Sequence, residues 1–193
     1  MPRTTIPIEE AQKLSQSKKG VNLDITSGLT PEIAALLVKS EGGVRLVNLT
    51  VLKDDVAEIL ATYPGDLQLG GPRLRASDMA IDNLSSHRGP ALHIQNIFEF
   101  NLEMANSLAQ HEGGRLAVSS YNDVGFTEEA LVALSKHKGD LWILAKCELT
   151  NVAIKALLKH KGELMIPQVT NMSRSIENKF KKLHEGPVFC GVS

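Results

Sequence analysis

FTEEALVALSKHKGDLWIL (residues 126–144) and LTNVAIKALLKHKGELMI (residues 149–166) share one pattern of apolar residues. In each stretch apolar side chains occupy positions i, i+4, i+7 and i+8, counted from Phe126 and from Leu149. This spacing predicts an amphipathic helix with one buried stripe. A glycine and two alternating apolar residues follow, and alternation of period two predicts a short strand. We therefore expect one helix and one strand in each stretch.

A series of glycines extends this pattern over almost the whole chain. Six of the seven glycines follow a leucine by five residues, and successive glycines are 23 to 26 residues apart. A period in this range is typical of a solenoid of stacked supersecondary units. We interpret the glycine as the residue that ends each helix, because glycine tolerates a positive φ there. The series is Gly42, Gly65, Gly89, Gly113, Gly139, Gly162 and Gly186.

The repeats predict an α/β fold. Strands that are connected through helices are expected to run parallel, with right-handed crossovers. Neighbouring strands lie about 4.8 Å apart, whereas packed helices need about 8 to 10 Å. We therefore expect a curved right-handed solenoid of about seven helix–strand repeats, with a parallel sheet on the concave side and helices on the convex side. It forms a single repeat domain over residues 1–193, with an N-terminal capping helix in residues 1–20 (helical over 8–18), repeats over residues 21–186 and a terminal strand in residues 187–193.

A column of hydroxyl and amide side chains predicts where the helices begin. Serine, threonine and asparagine are favoured as N-caps because their side-chain oxygens accept from exposed backbone N–H groups. Pro31, directly after the first of them, suits the first helical position. The column consists of Thr30, Ser77, Asn101, Thr127 and Thr150.

The two quoted stretches resemble the bacterial variants of the leucine-rich repeat family. The Ala-Leu-x-x-Leu spacing of the helix, the KHKG ending and the following Leu-x-Leu type of strand carry the resemblance, which covers about residues 20–190. The chain is a divergent member of this pattern, because the asparagine ladder that usually follows the strand is absent. Leu49, Ile97 and Tyr121 stand in that column, so the turn after each strand must satisfy its backbone differently. The resemblance implies a horseshoe fold that binds other proteins on its concave face, and no catalytic residues.

Side chains between the inward strand positions are expected on the concave face. Trp142 and Met165 are the expected centre of a binding surface, since such residues are common at the centres of interfaces. The alternative for Trp142 and Met165 is that a C-terminal segment covers them. The alternative for His93 is that it is exposed to solvent and has no role in binding. The candidate protein-binding residues are Arg45, Gln68, His93, Gln95, Trp142 and Met165. The same register also points Asp24, Val47, Ala117, Ser119 and Leu144 outward.

Five of the six histidines fall in or next to one column of the repeat. One alternative for such a column is metal binding, but adjacent repeats would hold the rings about a helix spacing apart, too far for one tetrahedral zinc ion. We favour a structural role, in which an imidazolium or its N–H donor meets free carbonyls at a helix end. The five are His87, His111, His137, His160 and His184.

The sequence predicts a protein that is not an enzyme and that needs no cofactor or metal. No nucleophile, base and acid stand at a spacing that catalysis requires, and GGPRLRAS (residues 70–77) lacks the lysine of a phosphate-binding loop.

The last third of the chain is basic. We interpret its cations as a solvated helix face, and the alternative is that they bind an acidic partner. Its cations are Lys155, Lys159, Lys161, Arg174, Lys179, Lys181 and Lys182.

Bulk properties narrow the range of partners. The net charge is −1, so we expect neither nucleic acid nor a membrane surface as a partner. The N-terminus has no apolar run and there are two cysteines, from which we expect a cytoplasmic protein.

The expected function is a non-catalytic protein–protein interaction module with a partner of unknown identity. The alternative is a homo-oligomer that assembles through the apolar C-terminal strand PVFCGVS (residues 187–193).

Overall fold

The fold comprises a parallel sheet and a set of helices. A computed structural model describes residues 4–26, 28–121, 125–171, 173–184 and 186–192. Within these residues lie eight helices and nine strands, and every paired strand runs parallel, which confirms the predicted α/β class. The helices are α1 (Ile8–Leu14), α2 (Pro31–Leu37), α3 (Asp54–Ala61), α4 (Asp78–Ser85), α5 (Leu102–Ala109), α6 (Glu128–Leu134), α7 (Asn151–Leu157) and α8 (Arg174–Leu183). The strands are β1 (Val21–Asp24), β2 (Val44–Val47), β3 (Val51–Leu52), β4 (Leu67–Ala76), β5 (Ala91–Ile97), β6 (Arg115–Ser120), β7 (Asp140–Ile143), β8 (Leu164–Val169) and β9 (Val188–Val192).

The predicted helix starts are confirmed. All five side chains of the column are N-caps, and each accepts a hydrogen bond of 2.9 to 3.3 Å from the backbone N–H three residues later. Ser173 caps α8 in the same way, which the sequence analysis did not identify. The first helix ends at Leu14, so the capping helix is shorter than expected. No described helix has the combination of length and apolar character that crossing a membrane requires.

The strands follow one another across the sheet almost in chain order. The order is β1-β2-β4-β5-β6-β7-β8-β9, with β3 paired to the second half of β4. Residues paired across neighbouring strands are 23 to 25 positions apart. Helices α1 to α7 likewise pack against one another in chain order. Each step along the chain therefore adds one strand to the sheet and one helix beside the previous helix.

The core lies between the sheet and the helices. The inward strand residues and the apolar stripes of the helices form one cluster that extends from Ile6 to Phe180. The leucines that precede the glycines by five residues are completely buried, which agrees with their place in the predicted stripe; they are Leu37, Leu60, Leu84, Leu108, Leu134 and Leu157.

The register of β1 differs from the expected one by two residues. The apolar alternation predicts Leu23 and Ile25 as the inward pair of this strand, equivalent to Val44 and Leu46 of the next, but Val21 is the partner of Val44. Asp24 does point outward, but it lies beside Val47. Val21, Leu23 and Ile25 are all buried, so apolar alternation alone fits both registers.

The glycine series has a different physical cause from the expected one. Of these glycines only Gly42 has a positive φ, of 88°, and helices α2 to α7 end in right-handed residues that precede the glycines. From Gly89 onward, a Cβ atom at each glycine would lie closer than 3.0 Å to a glycine carbonyl oxygen of the preceding repeat. Glycine is required because neighbouring backbones approach this closely, so the helix-ending interpretation is wrong for this part of the series.

Candidate functional site

Eight side chains form one continuous line across the outward face of the sheet, and we call them the outward strand row. Each member pairs in register with the next: Asn22, Arg45, Gln68, His93, Ala117, Trp142, Met165 and Phe189. Five of the six predicted binding residues therefore lie in one row. Gln95, the sixth, lies two residues beyond His93 on β5 and pairs with Gly70.

Trp142 is held in place by polar and charged neighbours. The guanidinium carbon of Arg115 lies 4.0 Å from the centre of the indole ring, which is a cation–π contact. The indole Nε1 donates a hydrogen bond of 2.9 Å to Oε1 of Glu163. The ring of His93 lies 5.9 Å from that of Trp142, between centroids. The partly exposed indole is thus fixed in one orientation, which lowers the entropy that binding would cost.

His93 is held neutral by its surroundings. Burial lowers the pKa of its imidazole, and the positive charge of Arg115 lowers it further, while Asp66 acts in the opposite direction. The side chain therefore offers one N–H donor and one acceptor near neutral pH.

Two residues expected to be exposed are buried. Ala117 is 0% exposed, because it lies in the row between His93 and Trp142, whose rings approach each other over it. Ser119 is 6% exposed, and its hydroxyl accepts a hydrogen bond of 2.8 Å from the backbone N–H of Asn96. Strand alternation correctly predicts the face of the sheet on which Ala117 and Ser119 lie. It does not show that large neighbours on the same face cover small side chains.

Three residues of this face were not among the predicted site. Asn22 was not predicted because the expected register of β1 was wrong by two residues. Arg115 directly precedes the first inward residue of β6, so the alternation of the strand was the available signal for it. Phe189 lies beside Met165 and is 55% exposed. Phe189 stands between Val188 and Cys190, two apolar residues that strand alternation places inward. This position was the available signal that the side chain of Phe189 faces outward. The row is therefore polar from β1 to β4 and apolar at its other end.

A cavity of about 300 Å³ adjoins the polar half of the outward strand row. Gln68, Gln95 and Asn96 contribute amide groups to its wall, and Gly70 and Gly71 contribute backbone. Asn96 has a positive φ of 56°, and its side-chain amide donates to the carbonyl of Gly71 at 2.8 Å. This bond provides a donor for a backbone carbonyl of β4, the neighbouring strand.

The five repeat histidines form a buried stack, which we call the imidazole column. Each ring is at most 8% exposed. Successive ring centroids lie 5.6, 5.7, 6.5 and 6.0 Å apart, and successive planes are inclined by 15° to 27°. Ser40 and Tyr63 occupy the corresponding places in earlier repeats, where the hydroxyl of Tyr63 accepts from the N–H of Gly43 at 2.8 Å.

Four imidazoles of the column are neutral near pH 7. Burial lowers the pKa values of His87, His137 and His160, and it lowers the pKa of His111 to about 4, with help from the charges of His87 and His137. Of the two expected forms, the imidazolium is therefore wrong for these four, and the neutral ring with one N–H group remains. The expected contact with a carbonyl is present at His87, whose Nε2 lies 3.0 Å from the Gly65 oxygen, and at His184, whose Nδ1 lies 3.0 Å from the Gly186 oxygen. Within the described part of the chain, no three His, Cys, Asp or Glu side chains are grouped so as to hold a metal ion.

Comparison of the chain with known protein families and with curated proteins finds no match.

Proposed function

We propose that this chain is a non-catalytic module that binds a partner protein on the concave strand face of a curved, right-handed, leucine-rich-repeat-like solenoid. The observation that carries the proposal is the outward strand row, with Trp142, Met165 and Phe189 side by side at its apolar end. Trp142 is partly exposed and Phe189 is largely exposed.

The arrangement of strands and helices supports the solenoid. Strand follows strand in chain order, with paired residues a near-constant number of positions apart, and the helices pack in the same order. Because packed helices need about twice the spacing of paired strands, such a stack curves with its strands on the inside.

The size and chemistry of the row favour a protein as the partner. Seven strand intervals of about 4.8 Å give a row about 34 Å long, which exceeds the span of a small ligand. Tryptophan, arginine and methionine are enriched at the centres of protein interfaces, and their surroundings are commonly polar. Trp142 with Arg115 and Met165 has this composition, and the amides of Gln68 and Gln95 lie on the polar side.

Replacing Trp142 by alanine tests the proposal. Since a central tryptophan contributes about 2 kcal/mol or more to binding, we expect the partner to bind about 30-fold more weakly. Partners would be captured on immobilised protein and identified by mass spectrometry, and their affinities measured by calorimetry. Met79→Ala is the matched control, since Met79 is 62% exposed on a helix. Equal affinity of the wild type and Trp142→Ala for every captured partner contradicts the proposal.

A second candidate function is self-association through β9. This strand is the last in the sheet order and pairs only with β8 among the described strands. A strand at the end of a sheet that carries an exposed aromatic side chain is suited to pairing with another copy. Under this proposal the mass measured by light scattering rises with protein concentration, and Phe189→Lys abolishes the rise. Val152→Lys is the control, because Val152 is 54% exposed on a helix. A wild type that stays monomeric at all concentrations contradicts self-association.

A further inference from the structure

The ends of α6 and α7 and the turns that follow them enclose a cavity of about 470 Å³. The two KHKG segments supply most of its wall, which contains Lys136, His137, Lys138, Lys159, His160 and Lys161. Because it lies on the helix side of the core, it is separate from the outward strand row and from the function proposed for that row.

The cavity carries an excess of positive charge. All four lysines are exposed, and the two ion pairs among the described residues, Arg88–Glu112 and Arg115–Asp140, involve none of them. The carboxyl-terminal ends of two helices contribute about half a negative charge each, which offsets only about one of the four positive charges. An anion in this cavity would therefore meet a net attraction.

Two buried imidazoles line the cavity. His137 and His160 are each 2% exposed, and none of their ring nitrogens makes a well-formed hydrogen bond in the described structure. Backbone groups of Gly114 and His111 lie near His137, and those of Ser135 and Glu163 lie near His160; they raise the pKa values, but burial has the larger effect and lowers them. Because the ring nitrogens are enclosed, the imidazoles shape the wall of the cavity and the lysines supply its charged groups.

We propose that this cavity binds a small anion that carries two or more phosphate groups. Its volume falls within the range of about 300 to 1,000 Å³ that is typical of small-molecule sites. Lysine ammonium groups bind phosphate as point charges, and four of them surround one cavity instead of following an extended groove.

Inorganic triphosphate is the probe for a calorimetric titration of the whole chain at pH 7.5. We expect saturable binding with one site per chain, and binding about a hundredfold weaker for Lys138→Gln/Lys161→Gln, since each of the two lost charged hydrogen bonds is worth about a factor of ten. Glutamine keeps most of the side-chain length and removes the charge. Lys53→Gln/Lys155→Gln removes the same total charge from exposed positions outside the cavity, and it should bind like the wild type.

Imidazole nitrogen signals observed by NMR locate the site. Triphosphate is expected to shift the signals of His137 and His160 and to leave that of His87, two rings away in the column, unchanged. Equal loss of binding in both double variants, or equal binding of sulfate at the same ionic strength, would overturn the proposal because it would show non-specific charge attraction. Binding of an acidic peptide in place of triphosphate would overturn it in favour of a protein ligand.

Discussion

Gly139→Ala is expected to lower the free energy of unfolding by about 3 kcal/mol, because an added Cβ atom meets its nearest neighbour at a shorter distance here than at any other described glycine. The added Cβ atom would collide with the carbonyl oxygen of Gly114 in the preceding repeat and would lie 2.9 Å from Nε2 of His137. Overpacking of this kind costs about 1 to 3 kcal/mol, and the upper end applies because the obstacle is backbone, which has no other rotamer. Urea denaturation followed by circular dichroism measures the difference.

Gly43→Ala separates steric contact from backbone conformation. Gly43 has a positive φ of 104°, but a Cβ atom there would lie at ordinary contact distances of 3.5 Å or more. Only the conformational cost of about 1 to 2 kcal/mol is then expected. If Gly139→Ala proved no more destabilising than Gly43→Ala, close approach would not be the reason for the glycine series.

Acidification is expected to destabilise the protein before its carboxylates titrate. The pKa of His111 is lowered from 6.5 to about 4 in the folded state, so between these pH values the unfolded chain binds more protons. The contribution of His111 to the free energy of unfolding is therefore constant above about pH 6.5 and decreases as the pH falls towards 4. At about 1.4 kcal/mol for each pH unit, His111 alone accounts for about 2 to 3 kcal/mol. The other lowered pKa values of the column act in the same direction.

The same denaturation experiment between pH 7 and pH 5 measures this effect, since few carboxylates titrate in that window. His111→Gln is the comparison, because glutamine does not titrate. The variant loses the packing of the ring and is less stable at pH 7, but its stability should depend less steeply on pH. Parallel pH profiles for the wild type and the variant would show that His111 is not the group responsible.

The helices and most inward strand residues could be predicted because they follow from patterns with a local physical cause. The apolar stripe around Leu134, the cap at Thr127 and the alternation of Leu141 with Ile143 each depend on a few neighbouring residues. The same local patterns predicted the parallel pairing of the strands, since each strand is followed by a helix.

What could not be predicted depends on contacts between repeats. The close approach of Gly139 to Gly114 joins residues 25 positions apart, and no local pattern distinguishes it from a positive φ. The burial of Ala117 depends on the large side chains on either side of it. The contact of Arg115 with Trp142 likewise depends on the register of two neighbouring strands, which the sequence pattern does not give. The six predicted site residues do point outward or lie beside the outward strand row.

The backbone contacts of the glycine series have a consequence for how this chain can change in length during evolution. From Gly89 onward each of these contacts joins one repeat to the one before it through a glycine carbonyl. An in-frame duplication of one helix and one strand would therefore bring its own glycine and offer its own carbonyl to the next repeat. We therefore expect the second half of the chain to accept the gain or loss of a whole repeat more readily than the gain or loss of part of one.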